Sequence, residues 1–306
     1  MRIAFFGTQE FAVPTLEALS EKHQVVAVVT QPARPKGRGL KLEQTPVELA
    51  ALAADLPVLT PENPNDPMFL SVLAVRQPEL AVLVAYGCIL HKALLSLPSR
   101  GFLNLHPSLL PKYRGAAPIQ RSIMAGDTTT GVSVIGLARK VDAGPILLQK
   151  ELPIAPAENS AELSDHLARL GAELMLEAVD LISTGKAEFR AQDESLATSA
   201  PKLVDEERKV DWHKPRQSIH NLVRAFAPRP AAFADFRSER VLLLRTRPVP
   251  GPARSPGAIE LDQPGLVVSC ADGLLELAEV RPQAGKTQTG ASFRNGRRLT
   301  QEDRFN

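Results

Sequence analysis

The 306 residues of the chain are enough for two domains, each with a core of its own. Only two cysteines occur, Cys88 and Cys270, and their wide separation in sequence excludes a disulfide framework and a cysteine-type metal site. The histidines show no ligand spacing either, so we expect no metal.

The net charge of +2 is unevenly distributed along the chain. Residues 1–150 and 206–306 are basic, whereas residues 151–205 are acidic. A basic stretch with excess arginine is compatible with nucleic-acid binding, although a mixed solvated surface has the same composition. There is no signal peptide and no apolar run of membrane-spanning length, which predicts a cytoplasmic protein without a membrane partner. Nothing in the sequence indicates an obligate protein partner.

Strand-like and helix-like patterns alternate through the first half of the chain. Apolar runs that predict strands lie at residues 2–6, 25–29, 80–84, 102–106 and 131–135. Patterns that predict helices lie at residues 11–19, 46–54 and 66–76. This alternation predicts an α/β fold with an open, mostly parallel, Rossmann-like sheet. Ligands of such sheets bind beyond the carboxyl ends of the strands.

The residue pattern of the second half of the chain changes twice, from helical to aperiodic and then to strand-like. Residues 160–184 have the apolar spacing of one long amphipathic helix, and residues 185–205 are polar and aperiodic, as in a linker. Short strand patterns then follow at residues 231–236, 241–247, 266–270 and 274–280, with a hairpin turn at 271–273. We therefore predict a catalytic domain at 1–187, a linker at 188–207 and a small, basic β-barrel domain at 208–306.

One segment places an amide and an imidazole at the end of a predicted strand. Asn104 and His106 are two residues apart, so in an extended chain their side chains project from the same face. Pro107 and Pro111 fix φ and remove backbone donors, which predicts a rigid, non-helical turn. Asp142 lies on a second turn, before Ala-Gly-Pro. A structural reading remains open, in which these polar groups only satisfy neighbouring backbone groups.

Asn104, His106 and Asp142 match the Asn, His and Asp of the 10-formyltetrahydrofolate-dependent formyltransferases. The sequence HPSLLPKYRG, which begins at His106, is similar to the signature of that family, and the similarity continues through Gln120. The resemblance implies catalytic roles for the three side chains and 10-formyltetrahydrofolate as co-substrate. It also implies a folate pocket lined by Tyr86, Gly87, Ser108, Leu109, Leu110 and Pro111.

Three further features resemble the members of that family that act on methionyl-tRNA. These are a basic loop at residues 30–39, the sequence Val-Asp-Trp at 210–212 with a helical pattern after it, and the additional C-terminal domain. The resemblance implies that this domain is OB-like and that initiator methionyl-tRNA is the partner. The loop residues expected to reach the acceptor end of the tRNA are Arg34, Lys36 and Arg38. On charge alone, the same loop could be a solvated surface insertion.

The chain departs from the family at two positions, with Lys140 in place of a glycine and Arg229 in place of a tryptophan. Three other functions are alternatives. A formyltransferase for an amino sugar or a glycinamide nucleotide would keep the same three catalytic residues but would not need the basic loop. A nicotinamide-dependent oxidoreductase is disfavoured because the first turn has a single glycine, Gly7. A non-catalytic RNA-binding protein would not need the Asn/His/Asp set.

Overall fold

The computed structural model of the protein describes residues 1–36 and 41–306. Contacts within the chain divide it into two compact units, each assembled from separate stretches of sequence. The first unit comprises Met1–Gly115, Thr130–Leu152 and Ser164–Ser199, and the second comprises Ala116–Thr129, Pro153–Leu163 and Ala200–Asn306. No helix of the described ranges combines the length and the apolar character needed to cross a membrane.

Strands and α-helices have the following bounds. The strands are β1 Arg2–Gly7, β2 Gln24–Val29, β3 Arg34–Lys36, β4 Lys41–Glu43, β5 Val58–Leu59, β6 Leu80–Val84, β7 Phe102–His106, β8 Arg114–Gly115, β9 Thr129–Gly136, β10 Ile146–Pro153, β11 Ser199–Ala200, β12 Ala232–Phe236, β13 Glu239–Val249, β14 Val267–Ser269, β15 Leu274–Pro282 and β16 Gln288–Thr289. The helices are α1 Val13–Lys22, α2 Pro46–Ala53, α3 Pro67–Val75, α4 Lys92–Leu95, α5 Pro118–Ala125, α6 Ser160–Ser183, α7 Arg216–Phe226 and α8 Gly290–Arg297.

A seven-stranded sheet forms the centre of the first unit, in the order β10-β9-β7-β6-β1-β2-β5. The five strands from β7 to β5 run parallel, and β9 runs antiparallel to β7. Apart from the first residue of each, β1 and β2 are fully buried, as expected for parallel strands covered on both faces. The prediction of an α/β fold with a mostly parallel sheet is confirmed.

An antiparallel sheet forms the centre of the second unit, in the order β12-β13-β15-β14, with β16 paired to β15. The predicted hairpin turn is present between β14 and β15, where the amide of Cys270 donates to the carbonyl of Gly273 at 2.8 Å. Aromatic side chains on β12, α8 and the C-terminal segment pack together in the core, namely Phe236, Phe293 and Phe305. All four predicted strands of this region are confirmed, whereas β16 and α8 were not predicted.

Candidate active site

Three neighbouring strands of the first unit end at one edge of its sheet. Gly7 of β1 pairs with Val84 of β6, and Val84 pairs in turn with Leu105 of β7. The three strands are parallel, so their carboxyl ends lie side by side. His106 is the last residue of β7 and therefore lies on this edge, beside the chain that leaves β6.

The structure brings Asn104, His106 and Asp142 together at this edge. Asn104 and His106 are 6% and 4% exposed. The amide nitrogen of Asn104 lies 3.5 Å from Oδ1 of Asp142, and Nδ1 of His106 lies 3.5 Å from Oδ2 of the same carboxylate. These distances are longer than the roughly 2.8 Å of a strong charge-assisted hydrogen bond. One carboxylate thus faces both of the side chains that project from β7.

The second ring nitrogen of His106 has a fixed partner. Nε2 lies 2.9 Å from the carbonyl oxygen of Tyr113. A carbonyl can only accept a hydrogen bond, so Nε2 carries a hydrogen and donates it. Nδ1 is therefore the nitrogen that is left to face Asp142 and the open side of the site.

The turn that carries Asp142 is held from several sides. Asp142 has a φ of 52°, in the left-handed region that aspartate tolerates better than most residues. Its Oδ2 accepts a hydrogen bond of 2.9 Å from the amide of Gly115. A Cβ atom on Gly144 would lie 1.7 Å from the carbonyl oxygen of Gly136, so only glycine fits at that position. Lys140, two residues before Asp142, does not adopt a positive φ.

Sequence reasoning missed a polar side chain that supports this turn. Nε2 of Gln192 donates to the carbonyl oxygens of Asp142 and Gly144 at 2.8 and 2.7 Å. Oε1 of Gln192 accepts from Arg114, which also forms a two-pronged ion pair with Glu194. Gln192 and Glu194 belong to the aperiodic stretch that was predicted to be a linker, and no local sequence signal points to this arrangement.

The pKa of the Glu194 carboxyl is strongly lowered. Hydrogen bonds from Arg114 and then from Lys140 lower the pKa of Glu194 to about 2. Because the folded pKa is depressed, the charged form contributes stability above the ordinary carboxyl pKa, and this contribution is lost as the pH falls toward 2. The side chain is exposed, so solvent screening keeps the contribution small.

We expect the difference in free energy of unfolding between the wild type and Glu194→Gln to be constant above about pH 5 and to shrink between about pH 4.5 and 2. Urea unfolding of both proteins at each pH measures this difference in free energy. Glu62→Gln is the matched control, since Glu62 is exposed and forms no ion pair with any residue that the structure describes. A difference that stays the same from pH 6 to pH 2 would contradict this pH dependence.

The backbone groups between Ser108 and Pro111 are largely paired within the protein. The carbonyl of Ser108 and the amide of Leu110 both contact the hydroxyl of Ser133, at 2.6 and 3.1 Å. Gln149 donates to the carbonyl of Leu110 at 2.8 Å. The side chain of Leu110 is buried in a small apolar cluster, and that of Leu109 lies against Gly131. This segment forms a rigid wall beside His106, and its role in folate binding stays a prediction.

Tyr86 and Gly87 follow β6 at the same edge. The side chain of Tyr86 points into the core, where its ring packs edge-on against Phe6 with centroids 5.5 Å apart. Burial raises the pKa of the Tyr86 hydroxyl. Its carbonyl accepts from the side chains of Thr8 and Gln31, at 3.0 and 2.8 Å. Gly87 is exposed with a φ of 82°, and its backbone forms no hydrogen bond with another residue of the described chain.

Two of the three predicted tRNA-contacting residues, Arg34 and Lys36, belong to strand β3. Strands β3 and β4 pair antiparallel, with Arg34 opposite Glu43. Arg34 is exposed, Lys36 ends β3, and Arg38 lies outside the described residues. Elsewhere, the described residues contain no group of three or more His, Cys, Asp or Glu side chains placed to hold a metal ion.

Comparison with known proteins finds two family models that match the chain. Residues 1–179 match the model of the formyl transferase family, and residues 202–298 match that of the formyl transferase C-terminal domain. Among solved structures, the N-formyltransferase from Helicobacter canadensis, in complex with folinic acid and dTDP-3-aminofucose, is similar with a TM-score of 0.69. That similarity covers 90% of this chain and 98% of the other, at 18% sequence identity, and concerns the fold.

Two curated relatives are much more similar in sequence. The methionyl-tRNA formyltransferase of Moorella thermoacetica is 44% identical over 97% of this chain and 96% of its own. That of Thermus thermophilus is 43% identical over the same shares of the two chains. Identity of this size over nearly the whole length of both proteins, together with the two matching domain models, shows that the chain belongs to the methionyl-tRNA formyltransferase family of formyl transferases.

Proposed function

We propose that the protein transfers the formyl group of 10-formyltetrahydrofolate to the free α-amine of methionyl-tRNA, which gives the N-formylmethionyl-tRNA of translation initiation. The observation that carries this proposal is the convergence of Asn104, His106 and Asp142 at the carboxyl edge of the sheet. Membership of the family supports the choice of substrates, because the relatives named above carry that activity in their names.

Asn104 and His106 supply the hydrogen-bond donors of the reaction. Attack of the amine on the formyl carbon moves negative charge onto the formyl oxygen, and donors placed in advance around that oxygen stabilise the charge. The amide of Asn104 and the Nδ1–H of protonated His106 are the two donors available at the edge. Nε2 of His106 is already bonded to Tyr113, which fixes the orientation of the ring.

Asp142 has two tasks in this proposal. Its carboxylate faces Nδ1 of His106 at 3.5 Å and holds the ring in position. It is also the nearest base at the site, and it would take a proton from the attacking amine and return it to N10 of the folate, directly or through a water molecule. The side chain of Asp142 is 12% exposed, which leaves it accessible from the open side.

The folate would lie between the chain after β6 and the wall formed by Ser108, Leu109, Leu110 and Pro111. The co-substrate supplies an activated formyl group on N10. Gly87 fits the binding of a flat ring, because its backbone is exposed and its amide and carbonyl are not used by any other described residue. The similar Helicobacter canadensis structure holds folinic acid, which supports a folate as the co-substrate of this fold.

The tRNA would be bound by the basic loop and the second unit. Arg34, Lys36 and Arg38 would contact phosphates at the acceptor end, and such contacts position a nucleic acid without reading its sequence. We propose that the antiparallel strands of the second unit form an OB-like barrel and that the first unit is a Rossmann-like catalytic domain. The division into residues 1–187, a linker at 188–207 and residues 208–306 is part of the same proposal.

The deciding experiment mixes the purified protein with 10-formyltetrahydrofolate and methionyl-tRNA and measures formylmethionyl-tRNA. Free methionine and uncharged tRNA serve as control substrates. We expect product only from the charged tRNA. Folate binding without product on methionyl-tRNA would contradict the proposal and favour a small amine as acceptor, an amino sugar or a glycinamide nucleotide. An amino-sugar nucleotide is bound in the Helicobacter canadensis structure, so it is the first alternative substrate to assay.

A further inference from the structure

We propose that Gln192 is a positioning residue that holds the loop of Asp142 in the geometry required for formyl transfer. This inference rests on the function proposed above. Gln192 lies 50 residues beyond Asp142 in sequence and does not reach the three catalytic side chains through its own side chain. It acts on the backbone that carries one of them.

The loop needs an external support. Asp142 has a φ of 52°, and a residue other than glycine keeps such a conformation only when its surroundings fix it. The neighbouring Val141 is largely exposed, so burial of its side chain does not provide that support. The carbonyl groups of Asp142 and Gly144 each accept a hydrogen bond from Gln192.

All four hydrogen-bonding positions of the Gln192 amide are used. Nε2 donates to the two carbonyl oxygens at 2.8 and 2.7 Å, and Oε1 accepts from Nε and a terminal nitrogen of Arg114 at 3.0 and 2.7 Å. Arginine has donors only, so Oε1 must face Arg114 and the orientation of the amide is determined by the network. A fully satisfied network of this kind rigidifies the groups it joins.

The segment around Gln192 is itself anchored to the sheet. Two residues earlier, the backbone of Arg190 pairs with that of Ile146 at the start of β10, at 2.8 and 2.9 Å. Six residues later, Thr198 contacts the backbone of Pro111, Tyr113 and Arg114. Gln192 is therefore held between two points of attachment.

The same network also secures the carboxylate of Asp142. Arg114, which binds Oε1 of Gln192, precedes Gly115, and the amide of Gly115 donates to the Asp142 carboxylate at 2.9 Å. Strand β8 thus holds the side chain of Asp142, and Gln192 connects β8 to the backbone of Asp142. Loss of Gln192 leaves the side chain of Asp142 bonded to Gly115 but frees the backbone of the loop. The carboxylate can then move, and displacement of a catalytic group by about 1 Å can reduce the rate a hundredfold.

The test is a double-mutant cycle between Gln192 and Asp142. We expect Gln192→Ala to lower kcat by about 10- to 100-fold and to change KM for either substrate less than threefold, because the loss is in geometry and not in substrate binding. In an Asp142→Asn background, the same replacement should lower kcat less than threefold further. Equal reductions in both backgrounds, or an unchanged kcat, would overturn the proposal.

Two further variants separate positioning from loss of folded structure. Gln192→Glu preserves the shape and the acceptors for Arg114 but removes the donors to the two carbonyls, so it should lower kcat to the same extent. Asp193→Ala changes the adjacent residue, whose carboxylate accepts hydrogen bonds only from Ser195 among the described residues, and should retain the wild-type kcat. Wild-type activity of Gln192→Glu would assign the residue a packing role only and would refute the proposal.

NMR spectroscopy tests the same proposal without an activity measurement. The Gly115 amide proton reports its hydrogen bond to Asp142, and its NMR resonance should shift upfield in Asp142→Asn and in Gln192→Ala. An unchanged Gly115 resonance in Gln192→Ala would overturn the positioning role. This holds whichever amine accepts the formyl group, because the resonance does not depend on the substrate. A wild-type protein that is inactive on methionyl-tRNA but shows both shifts would refute the proposed function alone.

Discussion

His106→Ala is expected to lower kcat for formyl transfer by about 10²–10³-fold, the usual cost of removing one donor to a developing oxyanion. The effect should fall on kcat more than on KM, because the negative charge on the formyl oxygen develops only as the amine attacks. Initial rates of formylmethionyl-tRNA formation, measured under steady-state conditions with both substrates saturating, give kcat.

The control for this substitution is His213→Ala. His213 lies in the second unit with its side chain 77% exposed, and among the described residues its ring is bonded only to Asp211, so its removal should retain the wild-type kcat. The thermal stability of each variant has to be compared as well, since His106 is buried and bonded to Tyr113. A His106→Ala protein that folds normally and keeps more than a tenth of the wild-type kcat would refute the donor role.

Asp142→Asn is expected to reduce kcat by about 10²–10⁴-fold, the range associated with loss of a general acid–base group. Asparagine has the size of aspartate and tolerates the same left-handed backbone, so the turn should survive the change. What is lost is the negative charge that faces Nδ1 of His106 and the base that accepts the proton of the amine.

Asp55 offers a matched control for this change. It has a φ of 51°, almost the same as that of Asp142, but lies exposed at the end of α2. Asp55→Asn therefore makes the same chemical replacement in the same backbone conformation, and kcat should not change. If Asp142→Asn kept the wild-type kcat, the proton-transfer role would have to pass to a water molecule or to His106.

The central sheet and the elements that carry Asn104, His106 and Asp142 were largely predictable, because their signals are local. Each of the five apolar runs marked a strand of the central sheet, of which all but β9 are parallel, and the two-residue spacing placed Asn104 and His106 on one face of β7. The turn at Asp142 was recognisable from its glycine and proline. In each case, the residues that determine the structure lie within a few positions of one another.

The support of the site was not predictable, because it depends on contacts between distant residues. Gln192 and Glu194 lie in a stretch without periodicity, and such a stretch is indistinguishable from a solvated linker until its partners are known. The bonds that connect it to Arg114 span about 80 residues. Likewise, the pairing of the Ser108 and Leu110 backbone by Ser133 could not be read from the signature sequence that contains them.

The position of Gln192 has a consequence for the order in which the protein matures during its own synthesis. Asn104, His106 and Asp142 leave the ribosome well before the residues that brace their loops, which extend to Thr198. A nascent chain that stops at residue 187 already contains Asn104, His106, Asp142 and the Gly115 amide that bonds to Asp142, but it lacks the two hydrogen bonds from Gln192 to the backbone of the Asp142 loop. The loop of Asp142 thus gains these two hydrogen bonds late in synthesis, after all the strands of the central sheet have been made.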